Sequence, residues 1–331
     1  MFAYTYGWIM GARFDTFYSG HENPETLSSR TLCFLAVHEM HGLAIVAIYM
    51  SKLFNASQRA DVKAILDSIT NALRVVITNT NSITPLTRLR GEAKIADELG
   101  ISLWPPEPFF SRQMLNEITT AFPAEGTSLF SLRLQTMKVL QESRTSRFYS
   151  SLFTRRVRWF TRSVRYLYSQ NYLEVGVWAL LAPSYRRHGS SLMMFSGLGF
   201  EIARSLVRAL DSHGRTLDGK GQPDSRWAQK LKCSLYDAKT RREKRALAEV
   251  FALNVTLRAF EDSTSATQNY SKLRFLESMS EDQTFFVSLC SHFCGDKERA
   301  ELCDLVAKTA RFHKAFSCED RTVSGRPCEF L

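Results

Sequence analysis

Residues 195 to 221, FSGLGFEIARSLVRALDSHGRTLDGKG, constrain this chain more than any other stretch. Ile202, Leu206, Val207 and Leu210 recur at helical spacing, which commits one face of a helix to a core. Gly197 and Gly199 mark the entry to that helix, and Asp211 and Gly214 mark its exit. Arg204 and Arg208 fall one turn apart on it, with Ser205 between them. A guanidinium has five donors and no acceptor and keeps its charge, so two of them repel a divalent cation instead of binding it. A serine needs an activating partner before it can act as base or nucleophile. From the residues alone this is a core helix with a solvated, Arg-bearing face.

The 331 residues are 44% hydrophobic and include 23 Phe, enough for one or two domains with a core of Phe packed on Leu and Val. The net charge of +10 is uneven, with seven arginines and no acid between Arg144 and Arg165. Within that block Arg155, Arg156, Arg158 and Arg162 are candidates for contact with glycosaminoglycan or another polyanion; a solvated strand face is the plainer reading. Seven cysteines leave at least one unpaired, and five of them (Cys290, Cys294, Cys303, Cys318 and Cys328) crowd the last 42 residues. No C-x-x-C knuckle is present, so a disulfide-bearing tail from an oxidising compartment is expected. Sequons at Asn55, Asn254 and Asn269 point the same way. The opening MFAYTYGWIM does not read as a signal peptide, and the apolar run from Cys33 to Met50 is broken by His38, Glu39 and His41, so it is not expected to span a membrane. An oxidised, glycosylated chain without an entry signal implies a natural N-terminus further upstream.

Along the chain, residues 1–27 lack periodicity. Residues 29–52 read as a buried helix carrying HEMHG. Its His38 and His41 stand three apart, whereas the zincin pattern places its histidines four apart with glutamate directly after the first. A helix from Ser57 shows the stripe Val62, Ile65, Leu66, Ile69, Leu73 and Val76 and ends by the polar run at 78–82. LGISLWP at 99–105 reads as a break, and 111–141 as helix around a turn at 123–126. Between 148 and 181 the runs RRVRWF, SVRYLY and YLEVGVWALL predict a small sheet. After residue 221 come a helix with Trp227, Leu231 and Cys233 and another over 241–261 presenting Leu247, Val250, Phe251, Leu257 and Phe260.

Glycine, apolar residue, glycine, helix, then Asp211 ahead of His213-Gly214-Arg215 resembles the zinc helix of the neprilysin and endothelin-converting-enzyme family of metallopeptidases. Cys33 ahead of paired helices and the aromatic, cysteine-bearing end of the chain fit the same family, from about residue 28 to 331. The resemblance implies a mainly α (α+β) fold, helices around a small β-sheet, with a segment 1–27, a helical connecting segment 28–145 and a catalytic-type lobe 146–331. It places Arg204 and Arg208 where the family has its two zinc histidines, Ser205 at the catalytic glutamate, and Arg245 at the third ligand. Ser163-Val164 stands at the family's substrate-pairing asparagine and alanine, and the segment carrying its transition-state histidine is shortened between Cys294 and Cys318. Glu249 stands at the retained outer-shell acid, expected to pair with Arg204 or Arg208. By the same resemblance Cys233 pairs with Cys328, while Cys33, Cys294 and Cys318 are left without their family partners or re-paired with Cys290 and Cys303.

The expected function is therefore a catalytically inactive homologue that binds peptides or proteins, with no metal site, no zinc cofactor and no catalytic residues, in an extracellular or membrane-associated setting. Two alternatives stand beside it: a residual zinc endopeptidase using His38, His41 or His213, and a polyanion-binding module working through the arginine block.

Overall fold

A computed structural model describes residues 50, 54–79, 85–104, 111–120, 122–123, 128–143, 164–187, 189–211, 213–224, 241–267, 277–294 and 297–318. The chain divides into two compact units, Met1–Leu53 with Pro105–Arg156 and Phe54–Trp104 with Val157–Leu331. In the first unit the described helices are α3 (Arg112–Thr120) and α4 (Leu129–Ser143), the helical stretch expected around the turn at 123–126. All else below concerns the second unit.

Helix α1 (Ala56–Asn79) begins at a reciprocal cap in which the Asn55 side chain accepts from the Gln58 N–H at 3.0 Å and the Gln58 side chain accepts from the Asn55 N–H at 2.8 Å. Its stripe is buried as predicted, except that Ile77 is buried where Val76 was expected and Val76 is half-buried. Helix α2 (Pro85–Ala96) starts on a proline, which lacks the N–H that the first turn leaves unpaired. The segment read as a break forms a strand, β1 (Gly100–Ser102), parallel to β3 (Tyr172–Val175). β2 (Val164–Leu167) pairs antiparallel with β3 and gives the sheet order β1-β3-β2. Asn171 turns the β2–β3 hairpin at φ 47°, a left-handed conformation that asparagine tolerates. SVRYLY and the start of YLEVGVWALL are thus strands, as expected. Beyond Val175, the last residue paired to β2, the chain closes into a 3-10 turn (Val177–Leu180) instead of continuing extended. RRVRWF lies outside the described residues.

The central helix starts earlier than its glycines suggest. A turn α5 (Ser191–Met194), capped by Ser190, leads into a π-helical turn (Phe195–Gly199), then α6 (Phe200–Leu206) and a 3-10 turn (Val207–Leu210). The bulge has a local cause: the Leu198 N–H donates at 2.8 Å to the Ser184 carbonyl outside the helix. A Cβ on Gly197 would lie 2.3 Å from that same oxygen, so only glycine admits this approach. Helix α7 (Arg241–Thr267) packs against both α1 and α6. Pressed from several sides, it buries Ala252, Leu253, Val255 and Thr256 besides the predicted Leu257 and Phe260, while Val250 and Phe251 are half-buried.

The chain continues in α8 (Glu281–Ser291), α9 (Lys297–Val306) and α10 (Ala310–Phe316). A capping box between Ser280 and Gln283 opens α8, and Phe286 of α8 packs against Phe312 and Phe316 of α10. The molecule is mainly helical with a small three-stranded sheet, and among the described residues no helix is long and apolar enough to cross a membrane.

Candidate functional site

Helix α6 brings the residues singled out in the sequence against α7 on one side and β2 on another. Arg204, with a side chain 16% exposed, reaches Glu249 of α7: its Nε and Nη2 donate to Glu249 Oε1 at 2.7 and 2.5 Å. Glu201, one turn earlier, stands 3.8 Å from Arg204 Nη1. The guanidinium thus faces two carboxylates within its own unit. Of the two pairings expected for Glu249, this is the one that forms. Ser205 turns the other way, and its buried hydroxyl donates to the Val164 carbonyl of β2 at 2.8 Å. Arg208, a turn further on, is exposed.

The end of the central helix is held by a second polar set. Asp211 Oδ1 accepts from the His213 and Gly214 N–H groups at 2.9 and 2.7 Å, and its Oδ2 accepts from the Tyr168 hydroxyl at 2.6 Å. Burial, then this bond to Asp211, pushes the Tyr168 phenol up. The exposed His213 ring stands edge-on to Tyr168, 4.7 Å between centroids. From α2, the buried Lys94 ammonium donates to the carbonyls of Gly214 at 2.6 Å and Leu217 at 2.9 Å. Burial pushes this amine down to about 8, against the opposing pull of Asp211, Asp218 and Glu98. Tyr166 donates to Asn171, which in turn donates to the Lys94 carbonyl, so the hairpin and α2 are tied as well.

Lys94 and Glu201 escaped the sequence reading. Glu201 carried a usable signal, an acid at i−3 from Arg204. A lysine among the buried positions of α2 carried none, since its partners lie more than a hundred residues away.

Of the other expected residues, Arg245 lies in α7 but its side chain is not described. Cys233, Cys328, Arg155, Arg156, Arg158, Arg162, His38 and His41 fall outside the described residues. Cys290 and Cys303 pair with each other and join α8 to α9, with Cα atoms 5.6 Å apart. This corrects the option of re-pairing them with Cys294 and Cys318, which are free and exposed. The sequon at Asn254 lies within α7, and its Thr256 hydroxyl is buried on the Ala252 carbonyl, a poor setting for an attached glycan. Among the described residues no group of three or more His, Cys, Asp or Glu is placed to hold a metal ion.

No protein-family model matches the chain. Among solved structures it is similar to the zinc metalloprotease Zmp1 of Mycobacterium tuberculosis in its open state, with TM-score 0.66 and 16% identity over 96% of this chain and 53% of that one. PepO from Lactobacillus rhamnosis matches with TM-score 0.59 and 16% identity over 93% of this chain and 52% of its own. A Haemonchus galactose-containing glycoprotein complex matches with TM-score 0.63 and 15% identity over 90% of this chain and 54% of its own. The chain thus spans about half the length of these structures. Zmp1 and PepO are zinc metallopeptidases of the neprilysin family, so the chain has the fold of part of a neprilysin-type metallopeptidase, as its sequence led us to expect.

Proposed function

We propose that this chain is a catalytically inactive neprilysin-like homologue that acts by binding peptides or proteins. One observation carries the reading: at the position the resemblance gives to a zinc ligand, the Arg204 guanidinium is held in the protein interior by Glu249. This donor set does not fit zinc, which needs lone pairs from neutral imidazole, thiolate or carboxylate. Nor does Ser205 supply a general base, because its hydroxyl is spent as a donor to Val164. A fold alone does not fix a function, and binding is what such a scaffold retains once hydrolysis is lost. By likeness to the family, its setting is extracellular or membrane-associated.

The test is to dialyse the purified, monodisperse protein against trace zinc, measure its metal content and assay peptide hydrolysis on the same sample. The expected result is a folded protein with no bound zinc and no chelator-sensitive cleavage. Stoichiometric zinc together with chelator-sensitive cleavage would overturn the proposal and return attention to His38, His41 and His213.

A further inference from the structure

The chain carries three Asn-x-Ser/Thr triplets, at Asn55, Asn254 and Asn269, and the fold treats them unequally. Asn55, Ala56 and Ser57 are all exposed. Asn55 precedes the first residue of α1, and its side-chain amide is divided in use. Its Oδ1 accepts from the Gln58 N–H at 3.0 Å, whereas among the described residues its Nδ2 makes no hydrogen bond. Nδ2 is the atom that carries an N-linked sugar, and a sugar there leaves Oδ1 an acceptor. The other half of the cap, the Asn55 main-chain N–H donating to the Gln58 side chain at 2.8 Å, is untouched as well. Asn254 is the opposite case. It is half-buried midway along α7, which packs against α1 and α6, and the Thr256 hydroxyl of its triplet is buried on the Ala252 carbonyl at 2.7 Å. Asn269 lies outside the described residues.

We propose that Asn55 is an N-glycosylation site and that Asn254 carries no glycan in the folded protein. The co-reactant is an oligosaccharide linked to a lipid pyrophosphate. A bond forms between Asn55 Nδ2 and the anomeric carbon of the first sugar, the bond from that carbon to the pyrophosphate oxygen breaks, and the lipid pyrophosphate leaves as the amide gives up one proton. Ser57 supplies the hydroxyl that completes the acceptor triplet. Sugar is added as the chain enters the secretory compartment, so the fold acts afterwards as a filter. A glycan on Asn55 extends from the start of α1 into solvent and keeps that corner clear of any partner, whereas one on Asn254 would have to open the packing of α7. The proposal rests on the extracellular or membrane-associated setting proposed above.

The experiment secretes the full chain from cultured eukaryotic cells behind an added signal peptide. Its proteolytic peptides are sequenced by mass spectrometry before and after treatment with a glycan amidase, which leaves aspartate at each occupied asparagine. We expect the peptide containing Asn55 to carry sugar and to be converted, and the peptide containing Asn254 to be unmodified throughout. Asn55→Asp and Ser57→Ala should each lose one glycan on a gel, and after sugar release both should melt with the wild type, because aspartate caps a helix as well as asparagine does and Ser57→Ala leaves the cap alone. Asn254→Gln should leave the glycan pattern unchanged. An unmodified Asn55, or a folded secreted protein with sugar on Asn254, overturns the proposal. Where secretion fails, translation into microsomes reads the same Asn55 peptide, and its lack of sugar there overturns the proposal equally. Because the experiment supplies the compartment, an unmodified Asn55 tells against the site and not against the setting.

Discussion

Lys94 and Arg204 are cations carried into the interior of the same unit and compensated in different ways. Arg204 meets carboxylates, with Glu249 in direct contact and Glu201 nearby. Lys94 is 1% exposed and meets the neutral carbonyls of Gly214 and Leu217, while the fields of Asp211, Asp218 and Glu98 favour its charged form. A guanidinium keeps its proton, so burying it demands an acid. An ammonium can give its proton up, so dipoles suffice and its charge becomes conditional on pH. The two sites show how one core tolerates a permanent and a conditional charge.

Removing Glu249 should break this comparison most severely. Glu249→Ala leaves the Arg204 charge in the interior without its contact partner and should cost about 3 to 5 kcal/mol in denaturant unfolding. Replacing both partners, Arg204→Met with Glu249→Met, should restore most of that loss, because two apolar side chains carry no desolvation debt. A double variant as unstable as the single one would show that the pair does more than cancel its own burial.

Lys94 sharpens the contrast through pH. Its folded value, about 8, lies below the ordinary lysine value of 10.5, so the unfolded chain holds the extra proton between them. Stability should therefore rise with pH across that interval, by on the order of 3 kcal/mol in full. Burial pushes the Tyr166 and Tyr168 phenols up, so their contributions are present below the ordinary tyrosine value and lost only at higher pH. The clean window thus lies between about pH 8 and 10. Urea unfolding of wild type and Lys94→Met at both ends of that window should show the wild type gaining on the variant. Parallel pH dependence in the two proteins would mean that Lys94 is not the group responsible.

The smallest effect is expected at Arg311, which bridges Asp282 of α8 and Glu261 of α7 with its side chain 30% exposed. Water already screens this network, so Arg311→Ala should cost only about 1 kcal/mol and lose much of that effect in high salt. A cost equal to that of Glu249→Ala would mean that burial does not rank these ion pairs.

Much of the fold was legible because it is written in local periodicity. The stripe of α1 and the strands SVRYLY and YLEV all follow from residues within a few places of one another. β1 was not legible, since three residues show no period and the strand exists only by pairing with Tyr172–Val175. The π-helical turn was missed for a similar reason: Gly197 announced a special backbone, but the Ser184 carbonyl that fills the space beside it comes from another segment. At the candidate site the identities of Arg204, Ser205 and Glu249 could be read, and the resemblance narrowed the partner of Glu249 to Arg204 or Arg208. The bond from Ser205 to Val164 could not be read, because nothing in a serine says which acceptor it will meet.

The sequence by itself determined which chemistry the central helix can offer: guanidinium and hydroxyl groups, with no lone pairs suited to zinc at the positions its resemblance marks. It also determined where helices such as α1 and α3 begin, because caps and apolar stripes act over a turn or two. Only the tertiary structure decided that Glu249 faces Arg204, that Lys94 lies under the Gly214 turn, and that Ser205 meets the Val164 carbonyl of β2. Each of these depends on segments far apart in the chain meeting within hydrogen-bond distance. Packing of the whole core sets those distances, and no local preference of the residues does.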